Sequence, residues 1–250
     1  MSRDQIYALP LDRVGDFAFD DAVASVFPDM IARSVPGYGS ILSMIRQLAG
    51  RFVQPGSHVY DLGCSLGAAT VLIREVAPAD ATIYAVDSSD AMIRRLEERL
   101  SDRESSNSEA GPKQASVVVQ QADICQLPIE NASFAVLNLT LQFIPAEQRE
   151  SLLRSVCEGM LPGGALLLSE KLRFDDAGQQ NLLTELHHEF KKANGYSDLE
   201  IAQKRTAIEN RLIPETMESH IERLHQVGFQ TVAPWFQCFN FASILAVKSV

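Results

Sequence analysis

Two amphipathic stretches open the chain. Phe19 to Val35 and Tyr38 to Phe52 place apolar residues at helical spacing and are separated by the breaker pair Pro36-Gly37. From His58 the period shortens: β-rich runs near 58–62, 81–86, 115–120, 134–139 and 164–170 alternate with helical patterns near 66–77, 89–100 and 147–161. That alternation predicts an α/β chain with a mostly parallel sheet and helices on both faces. The rhythm then changes. Asp175 to Lys192, Ser197 to Arg211 and Pro214 to Val227 are three helical segments in succession, which predicts an insertion lying over the carboxyl edge of the sheet. Phe229 to Gln237 and Phe239 to Val247 close the chain as an antiparallel hairpin, giving seven strands. Ser101 to Gln114, poor in apolar residues, reads as a solvated loop, and Leu161-Pro-Gly-Gly164 as a helix stop followed by re-entry into the sheet. Residues 1–250 are read as one domain, with a helical cap over 1–55 and the insertion over 175–227.

Composition narrows the partners. A net charge of −10 argues against a chain that itself grips nucleic acid, because phosphates call for a basic patch. A small-molecule ligand fits better. The four cysteines, Cys64, Cys125, Cys157 and Cys238, are too far apart for a C-x-x-C pair, so no metal is expected and reduced thiols in a cytoplasm are. The N-terminus carries charges where a signal peptide would be apolar, and no run is long enough to span a bilayer, so no membrane is expected.

The chemistry is concentrated in Val59-Tyr-Asp-Leu-Gly-Cys-Ser-Leu-Gly-Ala-Ala-Thr70, where an apolar strand ends in an acid and two glycines follow. In an open parallel sheet the first strand leads to the crevice at the switch point, and small residues there let the backbone approach a ligand. Asp87 stands at the end of the second strand, about where an acid that accepts both ribose hydroxyls belongs. NAD is disfavoured, because Ser65 and Ala68 occupy the places of the second and third glycines of G-x-G-x-x-G. Gly63-Cys-Ser-Leu-Gly67 also spells the G-x-S-x-G of a hydrolase, but too few strands precede Ser65, and the histidines that follow, His187, His188, His220 and His225, fall in the insertion helices. His187 and His188, neighbours on a helix, point about 100° apart and cannot chelate one ion together.

Asp61, in D-x-G-x-x-x-G, resembles motif I of the Rossmann-like class I S-adenosylmethionine (SAM)-dependent methyltransferase fold. Val26 to Tyr38, Tyr60 to Thr70, Asn138 to Phe143, Asn194-Gly-Tyr196, Gln203-Lys-Arg205 and Trp235 to Phe241 extend the likeness: together they resemble the carboxy-S-adenosyl-L-methionine synthase family over nearly the whole chain. The resemblance implies that SAM and prephenate are substrates, that the methyl carbon is carboxylated to give carboxy-S-adenosyl-L-methionine and phenylpyruvate, and that a separate transferase modifies the tRNA wobble uridine. It also implies a ligand site formed by Tyr38, Gly63, Cys64, Ser65, Asp87, Ser88, Asp123, Ile124 and Asn138, with Arg205 as the catalytic residue that holds the new carboxylate. A guanidinium suits that task because its planar fork donates two hydrogen bonds. Family members are homodimers, and whether Arg205 serves its own site or a partner's is open. Two other functions share the motifs: an ordinary methyltransferase acting on a small molecule, and a SAM-binding regulator without turnover.

Overall fold

The computed structural model describes all residues except Met1, Asp12, 107–113 and Asn210, and leaves the side chains of 104–106 undescribed. Helix α1 (Asp21–Ser34) starts where the Asp20 carboxylate accepts the Val23 N–H at 2.9 Å, and it contains Pro28. Gly37, at φ +76°, turns the chain into α2 (Tyr38–Phe52), whose Ile41, Ile45 and Ala49 form a fully buried stripe. Then β1 (His58–Leu62), α3 (Ala68–Arg74), β2 (Thr82–Asp87), α4 (Asp90–Ser106) and β3 (Ser116–Gln121) alternate, followed by β4 (Ala132–Asn138), α5 (Ala146–Gly159) and β5 (Met160–Lys171). Helices α6 (Ala177–Ala193), α7 (Asp198–Ile208) and α8 (Met217–Gln226) intervene before β6 (Thr231–Cys238) and β7 (Phe241–Val247).

The seven strands lie in the order β3-β2-β1-β4-β5-β7-β6. Pairs among β1 to β5 are parallel, and β7 runs antiparallel to both β5 and β6, so the expected mostly parallel sheet with a terminal hairpin is what forms. Strand order reverses between β1 and β4, and the carboxyl ends of those two strands face the same crevice. Apolar side chains fill both faces of the sheet. Ile41, Ile45 and Ile73 cover Val59, Ile83, Phe134 and Leu167 on one face, while Leu152, Leu153, Val156, Leu224 and Phe229 cover Leu137, Leu166 and Leu168 on the other. A third cluster of Phe17, Val23, Met30, Met92 and Ala207 joins the N-terminal segment, α4 and α7.

Two boundaries differ from the sequence reading. Residues 101–106 continue α4 instead of opening a loop, since Asp102 and Arg103 are tolerated on a wet helical face and no breaker precedes Asn107; the rest of that interval to 113 lies outside the described residues. Leu161 to Gly164 do not cap α5. Its last residue is Gly159, and the four residues belong to an irregular start of β5, where the register against β4 shifts between Ala132 and Phe134. Gly159 is needed at the join, because a Cβ there would lie 2.1 Å from the Ile129 carbonyl oxygen.

Two buried ionisable side chains fix the segments that leave the sheet. Arg149 is fully buried and donates to the carbonyls of Ile144, Gln142 and Ile213 and to the Glu215 carboxylate at 2.6 Å, tying α5 to the end of the insertion. Glu170 accepts the N–H groups of Leu141 and Gln142 at 2.9 and 2.8 Å, holding the short 3₁₀ turn Leu141–Phe143 against β5. Arg149→Met is expected to lower stability by about 3–5 kcal/mol, read from the denaturant midpoint, because it leaves three carbonyls without their donor and Glu215 with Arg223 as its one cationic partner. Burial pushes the Glu170 carboxyl up to about 8 from an ordinary 4.5, with the two amides and Arg149 opposing. A folded-state value above the unfolded one means stability that is complete below 4.5 and lost as pH rises toward 8. Denaturation across that window should show a downward slope in the native chain that flattens in Glu170→Gln.

Candidate functional site

The turn after β1 is forced into left-handed backbone three times: Gly63 at φ +79°, Ser65 at +51° and Gly67 at +70°. Neighbours as well as ligand space dictate the glycines. A Cβ on Gly63 would lie 2.4 Å from the Thr140 side chain, and one on Gly67 would lie 2.3 Å from Leu96 Cδ1. The turn is pinned from β2. Gly63 and Cys64 donate their N–H groups to the Val86 carbonyl, and Ser65 donates its own to the Asp87 carboxylate at 2.9 Å. The other Asp87 oxygen accepts the Ser89 N–H at 2.9 Å. Burial raises the Asp87 carboxyl despite these bonds, and it keeps lone pairs for further donors. Asp61 is buried behind the turn, accepts the Thr70 hydroxyl at 2.5 Å, and is pushed up by burial to about 6.

Around this turn lies a cleft of about 1100 Å³. All ten residues singled out from the sequence line it. Tyr38 comes from the start of α2, and burial first, then the Asp61 charge, raises its phenol well above the ordinary value. Cys64 is buried, with its thiol raised by burial and by Asp61 and Asp87, which makes it a wall and not a nucleophile. Ser88 is exposed at the rim, and its carbonyl accepts from the Gln121 side chain at 3.4 Å. Asp123 closes its own turn by accepting the Cys125 N–H at 2.9 Å, and the neighbouring Ile124 is buried. Asn138, at the end of β4, has a buried side-chain oxygen without a hydrogen-bond partner, a position suited to a ligand donor. Ser65 Oγ donates to Met92 Sδ, and no histidine is bonded to it among the described residues, which leaves the hydrolase reading without its base.

Arg205 reaches the same cleft from α7 of its own chain. Its neighbour Lys204 does something else. Instead of decorating a wet face, Lys204 is largely buried, donates to Ser34 Oγ at 3.0 Å and lies 4.0 Å from Asp4. Sequence reasoning passed over Lys171 at the end of β5 and Lys191 on α6 and set His188 aside as an ordinary helix residue; all three line the cleft. Read alone, α6 carries its polar residues as any solvated helix would. Only the fold shows that one polar face turns inward. His187 is buried, with its Nε2 paired to the Ser34 carbonyl at 2.8 Å, and among the described residues no group of three His, Cys, Asp or Glu could hold a metal ion.

The turn, the ribose-type acid and the orphaned Asn138 oxygen suit a nucleoside, and a volume above the roughly 300–1,000 Å³ of most single-ligand sites leaves room for a second molecule. Residues 59–164 match the family model described as a methyltransferase domain. Among solved structures, the magnesium protoporphyrin IX methyltransferase of Synechocystis PCC 6803 with bound SAH superposes with a TM-score of 0.58 at 16% identity, covering 88% of this chain and 87% of that one. Human N-acetylserotonin methyltransferase in complex with SAM gives 0.59 at 17% identity, covering 92% and 56%. These establish the fold. Sequence relatives are much nearer: the carboxy-S-adenosyl-L-methionine synthase of Geobacter sp. (strain M21) is 54% identical over 98% of both chains. That of Escherichia coli O17:K52:H18 is 51% identical over 99% of this chain and 97% of its own. With likeness this deep running from the N-terminal helices through the insertion, the chain belongs to the carboxy-S-adenosyl-L-methionine synthase family.

Proposed function

We propose that the chain converts SAM and prephenate into carboxy-S-adenosyl-L-methionine and phenylpyruvate, supplying the carboxymethyl donor for wobble-uridine modification of tRNA. The observation that carries the reading is Arg205, a guanidinium without a carboxylate partner among the described residues, in the same cleft as the glycine turn. An ordinary methyl donor presents no anion there; a carboxylated methyl does. In this reading the nucleoside lies along the turn. Gly63, Cys64 and Ser65 border its amino-acid end, with Tyr38 over it; Asp87 and Ser88 take the ribose, Asp123 and Ile124 the adenine, and Asn138 the remaining donor.

The reaction balances without an added oxidant or metal. Prephenate loses its ring carboxylate as carbon dioxide, and the electron pair released aromatises the ring and expels the ring hydroxyl as hydroxide. The sulfonium makes the methyl proton acidic; hydroxide removes it, giving water, and the carbon captures the carbon dioxide. The protein's part is to orient both molecules and to exclude bulk water from the carbanionic carbon. Apolar Phe17, Phe19, Phe27 and Phe143 among the lining residues support that role.

The net charge of −10 supports a cytoplasmic enzyme that never grips RNA itself. No described helix is long and apolar enough to cross a membrane. The exposed Leu182, Leu199 and Ile213, at 56%, 39% and 47% of full exposure, support a homodimer joined through the insertion.

Incubation of the purified protein with both substrates should yield, by mass spectrometry, a nucleoside heavier than SAM by one carbon dioxide, with phenylpyruvate formed in equal amount. Prephenate-independent release of S-adenosylhomocysteine would reassign the chain to ordinary methyl transfer. Arg205→Met is expected to reduce the preference for the carboxylated nucleoside over SAM at least ten-fold in competition titrations, since it removes a charge-assisted pair of about 1.5–3 kcal/mol. Asp87→Ala should weaken both nucleosides at least ten-fold by calorimetry, because it removes the ribose acceptor and frees the Ser65 amide together.

A further inference from the structure

The wall of the cleft contributed by the insertion is cationic to a degree the reading above does not use. Gln180, Thr184, His188 and Lys191 line the cleft from α6. Their spacing of four, four and three places them along one helical face. An inward face with no apolar residue at those four positions is the reverse of what a helix buries for stability. Lys171, at the carboxyl end of β5, and Arg205, on α7, reach the same wall.

The side chains of Lys171, Lys191 and Arg205 make neither an ion pair nor a hydrogen bond among the described residues. Three acids on the surrounding elements are engaged elsewhere, while Glu98 and Asp102 border the cleft from α4. Asp4 accepts the Tyr196 hydroxyl at 2.5 Å, Asp29 pairs with Arg33 at 3.0 Å, and Asp198 pairs with Lys192 at 2.5 Å. The cations also feel one another. Lys171 is pushed below the ordinary lysine value by burial and then by Arg205, and Lys191 is pushed down to about 7 by burial, then by Lys204, Lys171 and Arg205. Lys171 and Lys191, partly buried positive groups with no counter-charge, are costly in a ligand-free protein and, with the exposed Arg205 beside them, are explained by an anion that arrives with the substrate.

We propose that Lys171 and Lys191 form a second anion subsite beside Arg205, which holds the carboxylate that the donor retains. The inference rests on the reading of the chain as a prephenate-using synthase and adds a division of labour to it. The donor carries two carboxylates. Arg205 attends the one that departs and reappears on the methyl carbon, while the two ammonium groups grip the pyruvyl carboxylate that survives in phenylpyruvate. Compact ammonium groups on separate elements, β5 and α6, set the donor's position without competing for the planar fork. Lys171 and Lys191 are thus specificity and positioning residues.

Because phenylpyruvate keeps the gripped carboxylate, its binding tests the subsite without turnover. Calorimetric titration of phenylpyruvate into SAM-loaded protein should weaken at least ten-fold in Lys171→Met and in Lys191→Met, with SAM affinity unchanged. The KM for prephenate should rise by a similar factor while kcat changes less. Lys191→Arg should recover most of the loss, and Lys192→Met, on the exposed neighbour paired with Asp198, should match the native chain. The methionine variants should melt no lower than the native protein, since each removes an unpaired charge; a structural role would lower the melting temperature instead. Native-like phenylpyruvate affinity and KM in both variants would overturn the subsite while leaving the synthase intact. If the native protein makes no carboxylated nucleoside, the synthase reading fails, and the phenylpyruvate titrations alone decide the subsite: lysine-dependent binding supports it, and equal binding or none overturns it.

Discussion

The hydrogen bond from the Ser65 amide to the Asp87 carboxylate ties the binding turn to the sheet. Without it the turn after β1 would have to hold left-handed backbone at three of five residues with the Val86 carbonyl as its backbone tie to β2. Each such residue other than glycine costs energy, and Ser65 is one. The carboxylate that compensates for this strain sits at the end of β2, the adjacent strand, so the geometry of the turn is set by the parallel pairing of β1 with β2. The same acid faces the cleft. Its two oxygens take the Ser65 and Ser89 amides and still have lone pairs to spare, so one side chain both shapes the turn and keeps acceptor capacity at the cleft.

From that point the rest of the molecule follows in layers. The strand order opens a crevice between β1 and β4, and Glu170, reaching across from β5, holds the turn after β4 at a fixed distance from Gly63, where only a glycine clears Thr140. Arg149 then anchors the return of the insertion at Ile213 and Glu215. The cluster of Phe17, Met30, Met92 and Ala207 fastens α7 to α1 and α4. Arg205 is therefore presented to the cleft from a helix braced at several places, which is what the carboxylate-orienting role proposed for it requires.

What could be read from the sequence tracks how local the signal is. The D-x-G-x-x-x-G turn and Asp87 are legible because strand, turn and acid are governed by fixed spacings within one βαβ unit. The alternation of strands and helices gave the sheet for the same reason. The inward face of α6 was not legible, since Gln180, Thr184, His188 and Lys191 have the composition of a solvated stripe and only contact with a distant strand end inverts their meaning. Lys204 and Arg205 make the point within one dipeptide: both border the cleft, but a turn of about 100° ties Lys204 to Ser34 and leaves Arg205 exposed. The irregular entry to β5 was hidden because Pro-Gly-Gly normally ends elements, whereas here the pairing with β4 resumes after a register shift.

The charge distribution links this geometry to the chemistry. A chain with a net charge of −10 nonetheless gathers Lys171, Lys191 and Arg205 around one cleft, beside a ligand whose sulfonium is itself positive. Such an arrangement would repel a methyl donor acting alone. In the proposed reaction it becomes favourable once a dianionic donor lies between the sulfonium and the cationic wall, and low-dielectric surroundings strengthen every term of that sandwich. The same field stabilises negative charge on the methyl carbon as its proton leaves, which is when catalysis needs it most. A fold used elsewhere to pass on an electrophilic methyl can thus be turned to making that carbon a nucleophile, by changing the electrostatics of the wall opposite the glycine turn and leaving the turn as it was.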